Sequence, residues 1–387
     1  MPTAPHDTEY YLDTARELAS RVAANADRIE ADRQLPTELA NEIADNGFFR
    51  LLVPRSLGGA ELDHPTFRKI LEIIATADGS TAWCINQNNV FATDCVRIPE
   101  QTAKEIWGEK RAVVTNGPPT ASSKAVPVDG GYKLSGHWNF SSGSDHATWI
   151  AALVPVWSQD QTDPTGRESF RVMLLPKKDA TFVDQWHVNG MRGTGSFSFE
   201  LEDVFIPESR SYAQTDTIRE DGPIYVIPRG LLFGSGFATV ALGIARASLS
   251  TIIDLAITKT PVRSTTLVQA LRTTHRLIGE AEAIWRSARA YLQESAAAVW
   301  ESACKNRALT DEERIQLRLA STYAIHKAAE VVDISYGLSG SNAIFPANPI
   351  NRLFQDIHVI TQHAQGRLVH LETAGQFLLG LEPKGNF

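Results

Sequence analysis

Apolar positions recur at helical spacing from Thr8 to about Glu109. Leu12, Ala15 and Leu18 mark a first element. A second opens at Pro36, with Leu39, Ile43, Phe48 and Phe49 on one face, and a third runs from Pro65 through Ile70 and Ile73. Prolines and a Gly pair in LLVPRSLGGAELDHP punctuate the break between the last two. Near Ala112 the period changes. Ala125 to Val128, the turn Asp129-Gly130-Gly131, Tyr132 to Leu134, Thr148 to Val156, Phe170 to Leu175 and Phe197 to Phe205 alternate or run β-branched and aromatic. This predicts a compact antiparallel β unit of about one hundred residues. The segment SQDQTDPTGRES has no apolar anchor and is expected to be a surface loop within it.

After a polar stretch from Glu208 to Pro223 the helical pattern returns over Leu231–Ile257, Leu267–Ser302, Asp311–Leu338 and Pro349–Leu379. These lengths exceed the globular mean of about 11 residues and point to a bundle of long helices. Thr310 followed by Glu313 reads as a capping box at the start of the third. The expected architecture is α+β and mainly α: helical residues 1–112, a barrel-like antiparallel β domain at 113–222, and a long four-helix bundle at 223–387. A chain of 387 residues is long enough for two or three such units.

Composition narrows the function. Net charge is −8, with no clustered basic stretch, which argues against nucleic acid as a partner. The amino terminus becomes charged within a few residues and has no apolar core of a leader. Leu231 to Ala245 is too short an apolar run to cross a bilayer, so no membrane association is expected. Cys84, Cys95 and Cys304 form neither a paired framework nor a CxxC, so inert thiols in a reducing cytoplasm are expected. No dinucleotide-binding, P-loop, zinc-protease or nucleophile-elbow motif occurs. His358 and His363 lie five apart, about 140° around a helix, so no metal site is expected from them.

Six segments in order carry a resemblance. They are Arg33-Gln34-Leu35-Pro36; Val53-Pro54 with Gly58-Gly59; Ala77-Asp78-Gly79-Ser80-Thr81-Ala82-Trp83; Gly136-His137-Trp138-Asn139-Phe140-Ser141-Ser142-Gly143; Gly190-Met191-Arg192-Gly193-Thr194; and Asp203-Val204-Phe205-Ile206-Pro207. Together they resemble the acyl-CoA dehydrogenase superfamily over nearly the whole chain. The resemblance implies a flavin held between the β module and the C-terminal bundle, in a homotetramer.

Members of the dehydrogenase branch that carry the catalytic Glu near the C-terminus place it about eight residues past an Arg-Asp pair. Here that place holds Ala364, with His363 just before it. This resembles the flavin-dependent monooxygenase branch, the oxygenase components of two-component systems. That branch implies reduced FAD or FMN delivered by a separate NAD(P)H-flavin reductase, O2, and a small aromatic substrate such as a phenol or indole. The implied chemistry passes through a C4a-hydroperoxyflavin that survives only in a dry site with a hydrogen bond near flavin N5.

The resemblance assigns roles. Ser142 takes the flavin-contacting position, before Ser141, and Phe140 supplies an aromatic wall. A neutral histidine suits proton removal from a phenol or indole at cellular pH, which makes His363 the expected base. Expected as one stripe on a continuous final helix are Asp356, Ile360, His363, Arg367 and His370. Periodicity alone leaves His363 open between a pocket wall and a solvated stripe in which it pairs with Arg367 or water. Trp83, Gln87 and Phe91 share a helix face and either line the substrate side or pack in the core. The branch often carries a second histidine in that helix, where this chain has Phe91 or its neighbours. Further flavin contacts are implied at Arg192, Thr194, Ser196, Ser339, Gly340 and Ser341, with Arg263 reaching a neighbouring subunit. The alternatives are an ordinary surface arginine or turn at these places. Three rival functions stay open: a dehydrogenase or oxidase with another base, an amino-sugar N-oxygenase, and a catalytically silent scaffold.

Overall fold

The computed structural model describes residues 7–157, 170–261, 263–385 and 387. The expected loop SQDQTDPTGRES lies outside the described residues. Five helices come first: α1 (Thr8–Asp32), α2 (Thr37–Asp45), α3 (His64–Ala77), α4 (Gly79–Ala92) and α5 (Glu100–Trp107). Eight strands come next: β1 (Val114–Gly117), β2 (Lys124–Val128), β3 (Gly131–Ser141), β4 (Trp149–Pro155), β5 (Phe170–Pro176), β6 (Thr181–Val183), β7 (Phe197–Pro207) and β8 (Ser211–Tyr212). The chain closes with α6 (Arg229–Thr258), α7 (Arg272–Asn306), α8 (Asp311–Ser339), α9 (Pro349–Gln362) and α10 (Val369–Leu378).

The strands form two four-stranded sheets, ordered β1-β4-β5-β8 and β2-β3-β7-β6. Among the named strands pairing is antiparallel except that β1 runs parallel to β4, with Val114 opposite Trp149. That pair departs from the expected all-antiparallel unit: β1 enters from α5 and joins β4 across the intervening β2–β3 hairpin. The sheets enclose a core of their own around Trp138 and Phe199, whose rings stack at 5.2 Å. The Trp138 indole N–H donates to Leu153 O at 2.7 Å, fastening one sheet to the other.

The remaining apolar side chains join one larger core centred on α6. At 30 residues α6 is long and apolar enough, by composition, to cross a bilayer, which corrects the shorter run read from the sequence. Its residues from Leu231 to Ala245 are buried without a break, and it packs on α3, α4, α7, α8 and α9. Burial inside the protein accounts for its apolarity. The Thr310 capping box forms as expected, with the Thr310 hydroxyl accepting from Glu313 N–H and the Glu313 carboxylate accepting from Thr310 N–H. Cys84 and Cys95 are buried, and Cys304 is exposed.

The main departure concerns the final helix. It is not continuous: α9 stops at Gln362, Ala364–Gly366 make one 3-10 turn, and α10 restarts at Val369. His363 itself is extended, with φ −68° and ψ 150°. The predicted stripe from Asp356 to His370 is therefore broken at His363. Side-chain and backbone acceptors explain the break, since the His363 ring caps the 3-10 turn and His326 reaches Gly366 O at 2.8 Å.

Candidate active site

The segment Asp78-Gly79-Ser80-Thr81 starts α4 by capping. The Asp78 carboxylate accepts from both the Thr81 amide and its hydroxyl at 2.7 Å. This aims Trp83, on the first turn, at the border between the β sheets and α6. Its ring stacks on Phe237 of α6 with centroids 3.6 Å apart. The His363 ring meets both edge-on, at 5.0 Å from Trp83 and 4.9 Å from Phe237. Phe237 continues to Phe233 at 5.6 Å, and Phe233 to Phe91 at 5.4 Å. The Arg229 guanidinium closes the row over Phe91 at 4.6 Å.

The other wall comes from β3. Its ladder with β7 slips between Trp138 and Ser141, and within the slip Phe140 takes φ +57°. The bulge throws the Phe140 ring outward, where it is 60% exposed and meets Trp186 edge-on, and turns Ser141 and Ser142 inward. Phe140 thus stands exposed at the bulge, while Ser142 two residues on is buried. The Ser141 hydroxyl pairs with that of Thr115 at 3.1 Å, while Ser142 faces Trp83.

Ser142 begins a chain of hydroxyls. The Trp83 Nε1–H donates to Ser142 Oγ at 3.2 Å; Ser142 and Ser196 hydroxyls are 2.7 Å apart; Ser196 and Thr194 are 2.7 Å apart; and Thr194 donates to Met191 O at 2.8 Å. An indole N–H only donates and a carbonyl only accepts, so the direction is set at both ends. Each hydroxyl hydrogen points from Ser142 toward Met191, which leaves the second lone pair of Ser142 Oγ as an acceptor.

The turn that ends this chain is anchored from below. The Asp356 carboxylate of α9 accepts from the Met191 amide, and Gly190 lies so close that a Cβ there would sit 2.3 Å from the Gln355 carbonyl. Burial pushes the Asp356 pKa up to about 8, with further upward pressure from Asp78 and Glu30. Asp356 is the functional residue that reading along a stripe misplaced: it holds the turn and does not face His363.

The His363 imidazole is held below its ordinary range, at about 4, by burial first and Arg367 second. It is neutral at cellular pH. Its Nδ1 accepts from the Gln365 amide at 3.3 Å, so the ring hydrogen resides on Nε2. The resting ring therefore presents a donor, where a base was expected.

Of the other expected residues, Gln87 is buried and donates to Asn116 of β1, and Phe91 packs in the aromatic row. Arg192 faces Glu30 of α1 at 3.3 Å. Ser339, Gly340 and Ser341 form the turn after α8, held by Lys259 Nζ donating to Ser339 O at 2.6 Å. Arg263 is exposed with φ +63°. Lys259 follows α6 and Phe237 lies near its start, an axial separation of about 30 Å. One chain does not bring these four residues to Ser142. Phe237, the ring partner of Trp83 and His363, and Phe233, stacked on it, are the residues that sequence reading missed; they sat inside an apolar run weighed only for its length against a bilayer.

A flavin fits this donor set. Neutral hydroxyls, a neutral imidazole and aromatic faces surround Ser142, and the Ser142 acceptor matches a flavin that carries hydrogen on N5, which is the reduced form.

Comparison with known proteins agrees. The family model described as acyl-CoA dehydrogenase, N-terminal domain, matches residues 5–112, and that for the C-terminal domain matches residues 235–367. An indole-3-acetate monooxygenase of Pseudomonas putida is 29% identical over 97% of this chain and 94% of the relative. The p-hydroxyphenylacetate 3-hydroxylase oxygenase component of Acinetobacter baumannii is 26% identical over 96% of this chain and 89% of the relative. The solved structure of XiaF from Streptomyces sp., in complex with FADH2 and glycerol, superposes with a TM-score of 0.91 at 25% identity, covering 98% of this chain and 97% of that one. The chain belongs to the acyl-CoA dehydrogenase superfamily and groups there with the oxygenase components of flavin-dependent monooxygenases.

Proposed function

We propose that this protein is a reduced-flavin-dependent monooxygenase that inserts one oxygen atom of O2 into a small aromatic substrate, with flavin supplied by a separate reductase. The observation that carries this reading is the meeting of Trp83, Ser142 and His363, with Ala364 at the place of the dehydrogenase carboxylate. Asp356, the buried carboxylate nearby in sequence, is engaged under Met191 and is not available as that base.

A bound reduced flavin supplies the activation of oxygen. The protein's own residues do the rest. Ser142 Oγ, already fixed by the Trp83 indole, would accept a hydrogen bond from a bound reduced flavin. The Trp83, Phe237 and Phe233 rings exclude water and offer flat faces to an arene. His363 donates its Nε2–H to an oxygen of the substrate, and burial keeps that ring from becoming a cation.

Thr194 and Ser196 serve the flavin by fixing the direction of the Ser142 hydroxyl, and Ser141 by bracing β3 against Thr115. Arg192 serves it through the position of the turn. Arg263, exposed and far along the bundle from Ser142, reaches the flavin of a neighbouring subunit in a homotetramer, and the Ser339–Ser341 turn takes a distal part of the flavin. The three-part division at residues 112 and 222, and a cytoplasmic location away from membranes, belong to the same reading.

Anaerobic mixing with photoreduced FAD or FMN, then rapid exposure to oxygen, tests the function. A transient short-wavelength band before oxidised flavin appears is the expected result. Immediate reoxidation at the rate of free flavin, with bleaching of bound oxidised flavin by an acyl-CoA, overturns it in favour of a dehydrogenase.

A further inference from the structure

Arg318 of α8 is 2% exposed, yet no carboxylate of the described residues pairs with it. Its Nη2 donates to Gly230 O at 2.9 Å, its Nη1 donates to the Gln365 side-chain oxygen, and its Nε hydrogen has no acceptor. A guanidinium has five donors and does not lose its charge in a protein, so burial against two neutral acceptors is costly unless an anion arrives. Desolvation alone lowers its pKa, to about 10, which leaves it charged at neutral pH. Arg367 adds positive potential, and burial first, then Arg318 and Arg367, holds the neighbouring His370 below its ordinary range, so no anionic partner comes from that side.

Its place matters. Gly230, Gly234 and Phe237 share one stripe of α6, and a Cβ at Gly234 would lie 2.8 Å from Arg318 Nη1. A bare helix face thus seats the guanidinium one turn from the rings of Phe233 and Phe237. Gln365, which Arg318 holds by its side chain, is the residue whose amide fixes the His363 ring.

We propose that Arg318 is a specificity-determining residue that binds the carboxylate of an aromatic carboxylic acid, with the arene against Phe237 and Trp83 and its reacting edge toward His363. This rests on the oxygenase reading and names its substrate class. The Gln365 amide oxygen is the stand-in for that carboxylate, and a charged acceptor displaces a neutral one at a guanidinium. Arrival of the acid frees the Gln365 side chain and so reports to the His363 cap.

Equilibrium binding to the protein loaded with reduced flavin, kept anaerobic, tests this without turnover. The probes are matched pairs: indole-3-acetate with 3-methylindole, and p-hydroxyphenylacetate with p-cresol. The expected result is tighter binding of each acid, by on the order of 30-fold. In Arg318→Met that preference disappears while the neutral partners bind as before. Gly234→Ala keeps the charge and a good helix residue but crowds Nη1, and is expected to lose most of the same preference. Equal affinity within each pair in the unaltered protein overturns the proposal, as does equal weakening of both members in Gly234→Ala. Acid preference with no transient band on oxygen exposure supports the carboxylate site and overturns the oxygenase reading. A transient band with no acid preference does the reverse.

Discussion

The indole N–H of Trp83 and the hydroxyl oxygen of Ser142 lie 3.2 Å apart, and they belong to different parts of the fold: α4 of the first helical part and the bulged end of β3. That bond joins the aromatic floor to the hydroxyl chain. It is the point where a change on either side is felt on the other.

Ser196→Ala removes the acceptor of the Ser142 hydroxyl hydrogen, which then turns to donate into the site. The unaltered protein is expected to bind reduced flavin more tightly than oxidised flavin. In the variant this preference falls about 10-fold, the net worth of roughly one hydrogen bond. Dissociation constants for both redox forms, measured by titration, decide it; an unchanged ratio removes the directional account.

His363→Ala leaves flavin binding and flavin oxidation intact but lowers product formed per oxygen consumed, by on the order of 10-fold or more, with hydrogen peroxide making up the difference. The pH dependence carries its own sign. Below about 4 the ring takes a second proton on Nδ1, which breaks its bond from the Gln365 amide and its orientation, so product yield is expected to hold steady through pH 6.5 and to fall near pH 4. An inflection near the ordinary histidine value would show a ring open to water.

Asp356→Asn tests the anchor under Met191. The folded pKa, about 8, exceeds the unfolded carboxylate value of about 3.9, so the folded state binds the extra proton between them. The contribution of Asp356 to stability is full below pH 4 and is lost as pH rises through 8. Asparagine keeps the acceptor without the charge. The melting temperature of the variant should therefore match the parent near pH 4 and exceed it increasingly toward pH 8, and a constant difference across that window would contradict it.

Gly190→Ala places a Cβ 2.3 Å from backbone atoms of Gln355, which have no rotamer to move. A loss of about 1–3 kcal/mol is expected, with weakened flavin retention. Gly279→Ala on α7 meets nothing within 4 Å and serves as the control, neutral or stabilising by up to about 1 kcal/mol. Denaturant midpoints of the two variants check both values.

Much of the fold is legible along the chain because period reports secondary structure directly. The long helix at Asp311 begins where its capping box places it. What periodicity hides is tertiary. The break after Gln362 comes from a histidine ring that caps the turn two residues on and from a carbonyl that meets His326 of α8, which helical spacing does not encode. The parallel pairing of Val114 with Trp149 joins strands separated by a hairpin. Phe233 and Phe237 do not stand out in their apolar run, since a ring that lines a site and a ring that fills space look alike in sequence. Ser142 is visible by resemblance, but its partner Trp83 and the sense of its hydrogen bond emerge only from the folded geometry.

The pinned direction of the hydroxyls from Ser142 to Met191 has a further effect. A relay passes protons only if each hydroxyl can turn over in sequence, and here the first neighbour cannot take a hydrogen and the last cannot give one. The row has a single state, so it insulates. Protons released beside Ser142 are not carried off along this row, which ends at the Met191 carbonyl.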